Sequence, residues 1–123
     1  MPDRRGRRVG VIDDDAAVRD SLRFLLEAAG HNVQAFHSTD QFLAAADILS
    51  LDCLLLDQHM PGATGLELLR RLSQAGAHLP VALMTGSPSP QLTQQALALG
   101  AALVLEKPLL ENALFAFVEG ASR

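Results

Sequence analysis

A chain of 123 residues has room for one domain with one hydrophobic core and not for two. Apolar residues make up 49% and charged residues 20%, a balance that excludes an intrinsically disordered chain. The net charge of −4 hides an asymmetry: Arg4, Arg5, Arg7 and Arg8 cluster at the start, the body behind them is acidic, and without a basic face no nucleic-acid partner is expected. Residues 1–7 read as a flexible, solvated basic arm, and residues 8–123 as one domain.

Val9–Ile12 is a short apolar strand that runs straight into Asp13, Asp14 and Asp15. Ala16–Ala29 places Val18, Leu22, Leu25, Leu26 and Ala29 on one helical face, and Gly30 stops the helix. Asn32–Phe36 is a second, weaker strand. Ser38 opens a second helix, with Gln41 completing a capping box. Cys53–Leu56 is wholly apolar, as a strand buried on both faces of a parallel sheet must be. After a Met-Pro-Gly loop, Thr64 and Glu67 form a second capping box, starting a helix that ends near Gly76. Val81–Met84 is the fourth strand. Ser89 caps the next helix, Pro90 occupies its first turn and Gly100 ends it. Ala102–Leu105 is the fifth strand and Leu109–Glu119 the last helix.

Five strands alternating with five helices imply an α/β fold, a doubly wound parallel sheet with right-handed crossovers. In such sheets ligands bind beyond the carboxyl ends of the strands, so function is expected just after strands one, three, four and five. No apolar run reaches membrane-spanning length and none follows the arginines as a signal peptide would, so a soluble cytoplasmic protein with no membrane contact is expected. Cys53 is the only cysteine; it excludes an intrachain disulfide and reads as a small buried hydrophobe. His31, His37 and His78 lack ligand spacing and read as surface residues.

The forecast edge collects Asp13, Asp14 and Asp15 from strand one, Asp57 from strand three, Thr85 from strand four, and Glu106, Lys107 and Pro108 from strand five. Singly these signals are bland: an Asp pair after a strand is usually a turn or cap, and Thr-Gly or Lys-Pro means little. Together, at the correct ends of four strands, they make a site. Asp13, Asp14 and Asp57 form a hard, all-oxygen set suited to Mg²⁺. Lys107, the only lysine, can pair with Asp57 at rest and with a phosphoryl oxygen afterwards, and the Thr85 hydroxyl can donate to the same oxygen. A carboxylate nucleophile, a charge-offsetting metal, a cation and a hydroxyl constitute a phosphoryl-accepting site.

The runs Val-Ile-Asp-Asp-Asp, Leu-Leu-Asp-Gln-His-Met-Pro-Gly-Ala-Thr-Gly, Leu-Met-Thr-Gly and Glu-Lys-Pro resemble the receiver domain of two-component response regulators, in particular the nitrogen-fixation regulator type. Thr85 and Lys107 stand 28 and 50 residues beyond Asp57, the spacing of that family, and the resemblance extends from about Arg8 to the end. It implies a flavodoxin-like sheet of order 2-1-3-4-5. It also implies Asp57 as phosphoacceptor, Asp13, Asp14, Asp57 and the main-chain carbonyl of His59 as ligands of Mg²⁺, Thr85 and Lys107 as phosphoryl binders, and a cis Lys107–Pro108 peptide. The implied donor is a sensor histidine kinase or histidine phosphotransfer protein. The implied chemistry is self-phosphorylation and self-dephosphorylation, with no substrate turned over.

Three features depart from the family pattern or from an ordinary surface. Val104 stands where the family carries Tyr or Phe, so the aromatic half of its relay is missing. The His59 side chain either faces solvent or hinders and orients the water that hydrolyses the acyl phosphate. From Leu109 to Val118 only Glu111 and Asn112 are strongly polar, so Leu110, Leu114 or Phe117 is expected to stay exposed. That helix, with residues 91–105, then forms a dimer or partner surface, unless the terminal residues cover it. With no DNA-binding segment following, output is expected through docking on another protein, or the chain serves as a phosphate sink. A receiver fold used as a phosphorylation-independent binding module is the alternative. A hydrolase with an aspartate nucleophile would want a carboxylate where His59 stands.

Overall fold

The computed structural model describes residues 6–121. Five parallel strands, β1 (Arg8–Ile12), β2 (Asn32–Phe36), β3 (Cys53–Asp57), β4 (Val81–Thr85) and β5 (Leu103–Glu106), form one sheet in the order β2-β1-β3-β4-β5. Five α-helices alternate with them: α1 (Ala16–Ala28), α2 (Thr39–Ala45), α3 (Gly65–Gln74), α4 (Pro90–Ala98) and α5 (Glu111–Gly120). In-register pairing aligns Ile12 with Leu56, Asp57 with Met84, and Thr85 with Glu106, which levels the strand ends and brings their terminal residues to one edge.

Alternation along the strands divides the core. Leu54, Leu56 and Leu83 pack on one face with Phe42, Leu68, Leu72 and Ala96 from α2, α3 and α4. Cys53, Leu55, Ala82 and Met84 pack on the other with Leu22, Leu26, Leu114 and Val118 from α1 and α5. β3 and β4 are buried at every position, which is why their sequences carry no polar face.

The expected caps form. Ser38 Oγ accepts from Gln41 N at 3.0 Å, Thr64 Oγ1 from Glu67 N at 3.3 Å and Ser89 Oγ from Leu92 N at 3.0 Å. Asp15 is also a cap, its Oδ1 accepting from Ala17 N at 2.9 Å at the start of α1. Gly30 and Gly76 hold φ of 94° and 72° just past the ends of α1 and α3, a backbone conformation that suits glycine.

The structure corrects two expectations, the start of the last helix and the exposure of His31, and adds a 3₁₀ turn. The last helix begins at Glu111, because Leu110 stays extended as its N-cap residue and Glu111 brings a carboxylate to the first turn, where the helix dipole favours it. A 3₁₀ turn at Ile48–Ser50 precedes β3 and leads into the wholly buried Leu51. His31 is buried: its Nδ1 accepts from the Arg7 N–H at 2.9 Å, and its Nε2 lies 3.3 Å from Glu119 Oε2. It serves as a backbone acceptor at the start of β2, whereas His37 and His78 are exposed as expected. Arg7, assigned to the basic arm, also donates from Nη2 to the Glu119 carbonyl at 3.0 Å, while Arg4 and Arg5 lie outside the described residues.

Candidate functional site

The final residues of β3 and β4 are Asp57 and Thr85; Asp13 follows β1 and Lys107 follows β5 directly. Asp13 is fastened on several sides. Its N–H donates to Phe36 O at 3.1 Å, its Oδ1 accepts from Asp15 N at 2.9 Å, and its carbonyl accepts from Arg19 Nη1 at 2.7 Å. Its other carboxylate oxygen accepts from Lys107 Nζ at 2.7 Å. The same ammonium stands 3.1 Å from Asp57 Oδ1, so one lysine is shared by two buried carboxylates. The Lys107–Pro108 peptide is cis, and the Lys107 N–H donates to the Thr85 carbonyl at 2.8 Å, continuing the β4–β5 ladder to the site.

Sharing leaves the charge unbalanced. Burial, followed by the neighbouring Asp13 charge, pushes the Asp57 carboxyl above its ordinary range, and the Lys107 hydrogen bond only partly opposes them. For Lys107 burial acts downward, yet the hydrogen bonds and charges of Asp13 and Asp57 outweigh it and raise its value. Asp14, exposed at the rim, adds a third carboxylate; oxygens of Asp13, Asp14 and Asp57 all lie within 4.8 Å of one another. Three clustered carboxylates, two of them sharing one ammonium, leave negative charge in excess that a hard divalent cation would offset, and the all-oxygen donor set fits Mg²⁺. The His59 carbonyl follows Asp57 by two residues, and its N–H makes a long 3.4 Å contact to Asp57 Oδ1.

Several side chains and backbone groups support the site in ways the sequence reading did not assign. Arg19 reaches back from α1 to the Asp13 carbonyl. Gln58 ties the loop after β3 to α3: its Oε1 accepts from Leu66 N at 2.9 Å and its carbonyl from Gly65 N at 3.2 Å. A Cβ at Gly65 would lie 2.7 Å from the Asp57 carbonyl and 2.6 Å from a Leu83 methyl, so glycine is needed for α3 to approach the strand end. Ser87 N donates to Thr85 Oγ1 at 3.0 Å. The exposed His59 does not simply face solvent, since its Nε2 lies 3.2 Å from Thr85 Oγ1. Val104 is half-buried against the α3–α4 face of the core. Of the three apolar residues expected to stand out on α5, Leu110 is 70% exposed, Phe117 half-buried and Leu114 buried.

Beside Lys107 a groove of about 530 Å³ opens between α1 and the start of α5, lined by Val18, Leu22, Leu25, Pro108 and Leu114 among others. Among the described residues no helix is long and apolar enough to cross a membrane.

Comparison with known proteins agrees with this arrangement. The sequence pattern of the response regulator receiver domain matches residues 9–119. The chain is 45% identical over 113 residues to the transcriptional regulatory protein FixJ of Bradyrhizobium diazoefficiens, covering 92% of this chain and 55% of that protein. It is 48% identical over 110 residues to FixJ of Azorhizobium caulinodans, covering 89% and 52% respectively. The chain thus spans about half the length of these curated relatives. Full-length FixJ from B. japonicum superposes with a TM-score of 0.84 at 43% identity, over 94% of this chain and 57% of that one.

Proposed function

This chain belongs to the response regulator receiver domain family of two-component signalling, and from that premise we propose that it is a Mg²⁺-dependent phosphoacceptor switch with Asp57 as the phosphorylated residue. The observation that carries this reading is the single Lys107 ammonium shared between the buried carboxylates of Asp13 and Asp57. A resting site that holds two carboxylates on one cation is short of positive charge, and it is suited to a ligand set that brings a divalent ion and a phosphoryl group together.

In this mechanism an Asp57 carboxylate oxygen attacks the phosphorus of a donor phosphohistidine. A P–O bond forms as the P–N bond breaks, and the leaving imidazole keeps the electron pair and takes up a proton. Asp13, Asp14, Asp57 and the His59 carbonyl would hold a divalent cation, which would supply positive charge to offset the carboxylates and the transferring group. Asp13, fixed by Asp15 N and Arg19, keeps its oxygens in place while Lys107 moves its hydrogen bonding toward a phosphoryl oxygen. Thr85 donates its hydroxyl proton to another, and the added charge shifts a pre-existing equilibrium between two conformations.

The donor is a sensor histidine kinase or a histidine phosphotransfer protein, and the groove beside Lys107 admits a partner seated on α1 next to the phosphoryl site. Output runs through the surface of residues 91–105 and 109–118, where Leu97 and Leu110 are exposed, to a protein target or a second copy. Residues 8–123 act as the receiver unit, with residues 1–7 as its basic lead.

Intact mass after incubation with Mg²⁺ and acetyl phosphate tests the reading. One added phosphoryl group, lost in Asp57→Asn and on chelation, is expected. A folded protein that takes up no phosphoryl group from either acetyl phosphate or a phosphorylated histidine phosphotransfer protein would leave the phosphorylation-independent binding module in its place.

A further inference from the structure

Thr85 is wholly buried, and its hydroxyl oxygen has two neighbours: Ser87 N, which donates to it at 3.0 Å, and His59 Nε2 at 3.2 Å. A hydroxyl has one proton to give and two lone pairs to receive. Ser87 occupies one lone pair. If His59 Nε2 also carried a proton, the Thr85 oxygen would accept twice and its own proton would be buried with no acceptor at this site, at the cost of an unmade hydrogen bond. The arrangement that satisfies every group has the ring proton on Nδ1 and the Thr85 hydroxyl donating to Nε2.

Building on the phosphoacceptor reading above, we infer that His59 is a positioning residue: its ring holds the Thr85 proton in the resting state and competes with the phosphoryl group for it. The proton that Thr85 gives to a phosphoryl oxygen is the one His59 holds beforehand, and it cannot serve both acceptors at once. Phosphorylation must therefore break the His59–Thr85 bond, and that bond stabilises the resting conformation by its own worth. The position that carries the family's aromatic holds Val104, a smaller side chain half-buried against the core, so the restraint on Thr85 comes from the loop after β3. His59 is also the residue whose carbonyl belongs to the proposed cation set, so the latch and the site share one backbone unit. Substituting the side chain leaves that carbonyl in place.

The experiment titrates beryllofluoride, a phosphoryl mimic, with Mg²⁺ and follows backbone amide resonances of Ser87 and Gly86. Wild type, Asp57→Asn, His59→Ala, His59→Asn, His59→Gln and the pair Thr85→Val and Thr85→Val/His59→Ala are compared. His59→Ala and His59→Asn are expected to bind about 3- to 10-fold tighter than wild type, the worth of one neutral hydrogen bond. His59→Gln, whose Oε1 can stand where Nε2 does, should stay within about twofold. In the Thr85→Val background the His59→Ala gain should vanish. The ring nitrogens of His59 in metal-free protein should report the Nδ1–H tautomer. Wild-type affinity in His59→Ala, a gain that survives Thr85→Val, or a proton on Nε2 would each overturn the latch while leaving the phosphoacceptor reading intact. Wild type that binds no more beryllofluoride than Asp57→Asn would instead sink that reading, and the latch with it.

Discussion

Where the strands begin, polar groups meet partners of the matching kind. Arg7 N donates to His31 Nδ1, Arg8 N to Asp52 Oδ2 at 2.7 Å, Asp52 N to Arg8 O at 2.8 Å, and the Arg7 guanidinium to the Glu119 carbonyl. Where the strands end, Asp13 and Asp57 are buried within reach of the same ammonium, with Asp14 beside them. The first edge ties β1, β2, β3 and α5 together and asks nothing of a ligand. The second is held in place by the β-ladder, and it gathers more negative charge than its one ammonium balances. Paired polar groups and unbalanced charge are thus divided between the two ends of one sheet.

The comparison can be broken most sharply at Lys107. Lys107→Ala leaves both buried carboxylates without their cation and is expected to cost about 3 kcal/mol in chelator, read by urea unfolding. Millimolar Mg²⁺ should recover part of that loss, because the ion supplies the missing positive charge. A counterpart at the opposite edge is His31→Ala, which strands the Arg7 N–H and should cost about 2 kcal/mol. Mg²⁺ should change that cost by nothing measurable. Equal Mg²⁺ dependence at the two edges would dissolve the distinction.

Asp57→Asn sharpens the same contrast in the opposite direction. It removes a disfavoured charge while Lys107 keeps Asp13, so the metal-free protein should gain about 1 kcal/mol and a few degrees in Tm. The sign with pH follows from linkage. A carboxyl raised in the folded state binds its proton more tightly there than in the unfolded chain. Wild-type stability therefore falls, relative to Asp57→Asn, as pH rises from the ordinary Asp range through the raised Asp57 value. Thermal scans of both proteins in chelator, from acid to neutral pH, should show the gap open over that interval.

The smallest effect is expected at Cys53, the first residue of β3. Burial, with a lesser push from Asp52, raises its thiol to about 12, so it is a protonated, inert hydrophobe at neutral pH. Alkylation should track global unfolding and be indifferent to Mg²⁺ except through overall stability.

The sequence was legible where local pattern and tertiary demand coincide. The all-apolar Cys53–Leu56 and Val81–Met84 have to be buried on both faces, and Ser38, Thr64 and Ser89 cap helices by contacts three residues away. Asp13, Asp57, Thr85 and Lys107 were readable as a group because parallel strands of matched length bring their ends to one edge. What escaped depends on contacts far apart in the chain. His31 looks like a polar residue after a helix stop, and its burial comes from Arg7 and Glu119, 24 and 88 residues away. Arg19 looks like an exposed helix residue until its guanidinium meets the Asp13 carbonyl. The approach of His59 to Thr85 follows from the course of the loop after β3, which no periodicity encodes.

The central claim, that the unbalanced strand-end site accepts a phosphoryl group on Asp57, is tested most directly by borohydride trapping. Borohydride reduces an acyl phosphate to the alcohol, so a phosphorylated aspartate is converted to homoserine. After incubation with donor and Mg²⁺, peptide mapping should find homoserine at position 57 and nowhere else, with none when Mg²⁺ is chelated. Homoserine at position 13 or 14, or none in a folded protein exposed to a competent phosphohistidine donor, would contradict the account.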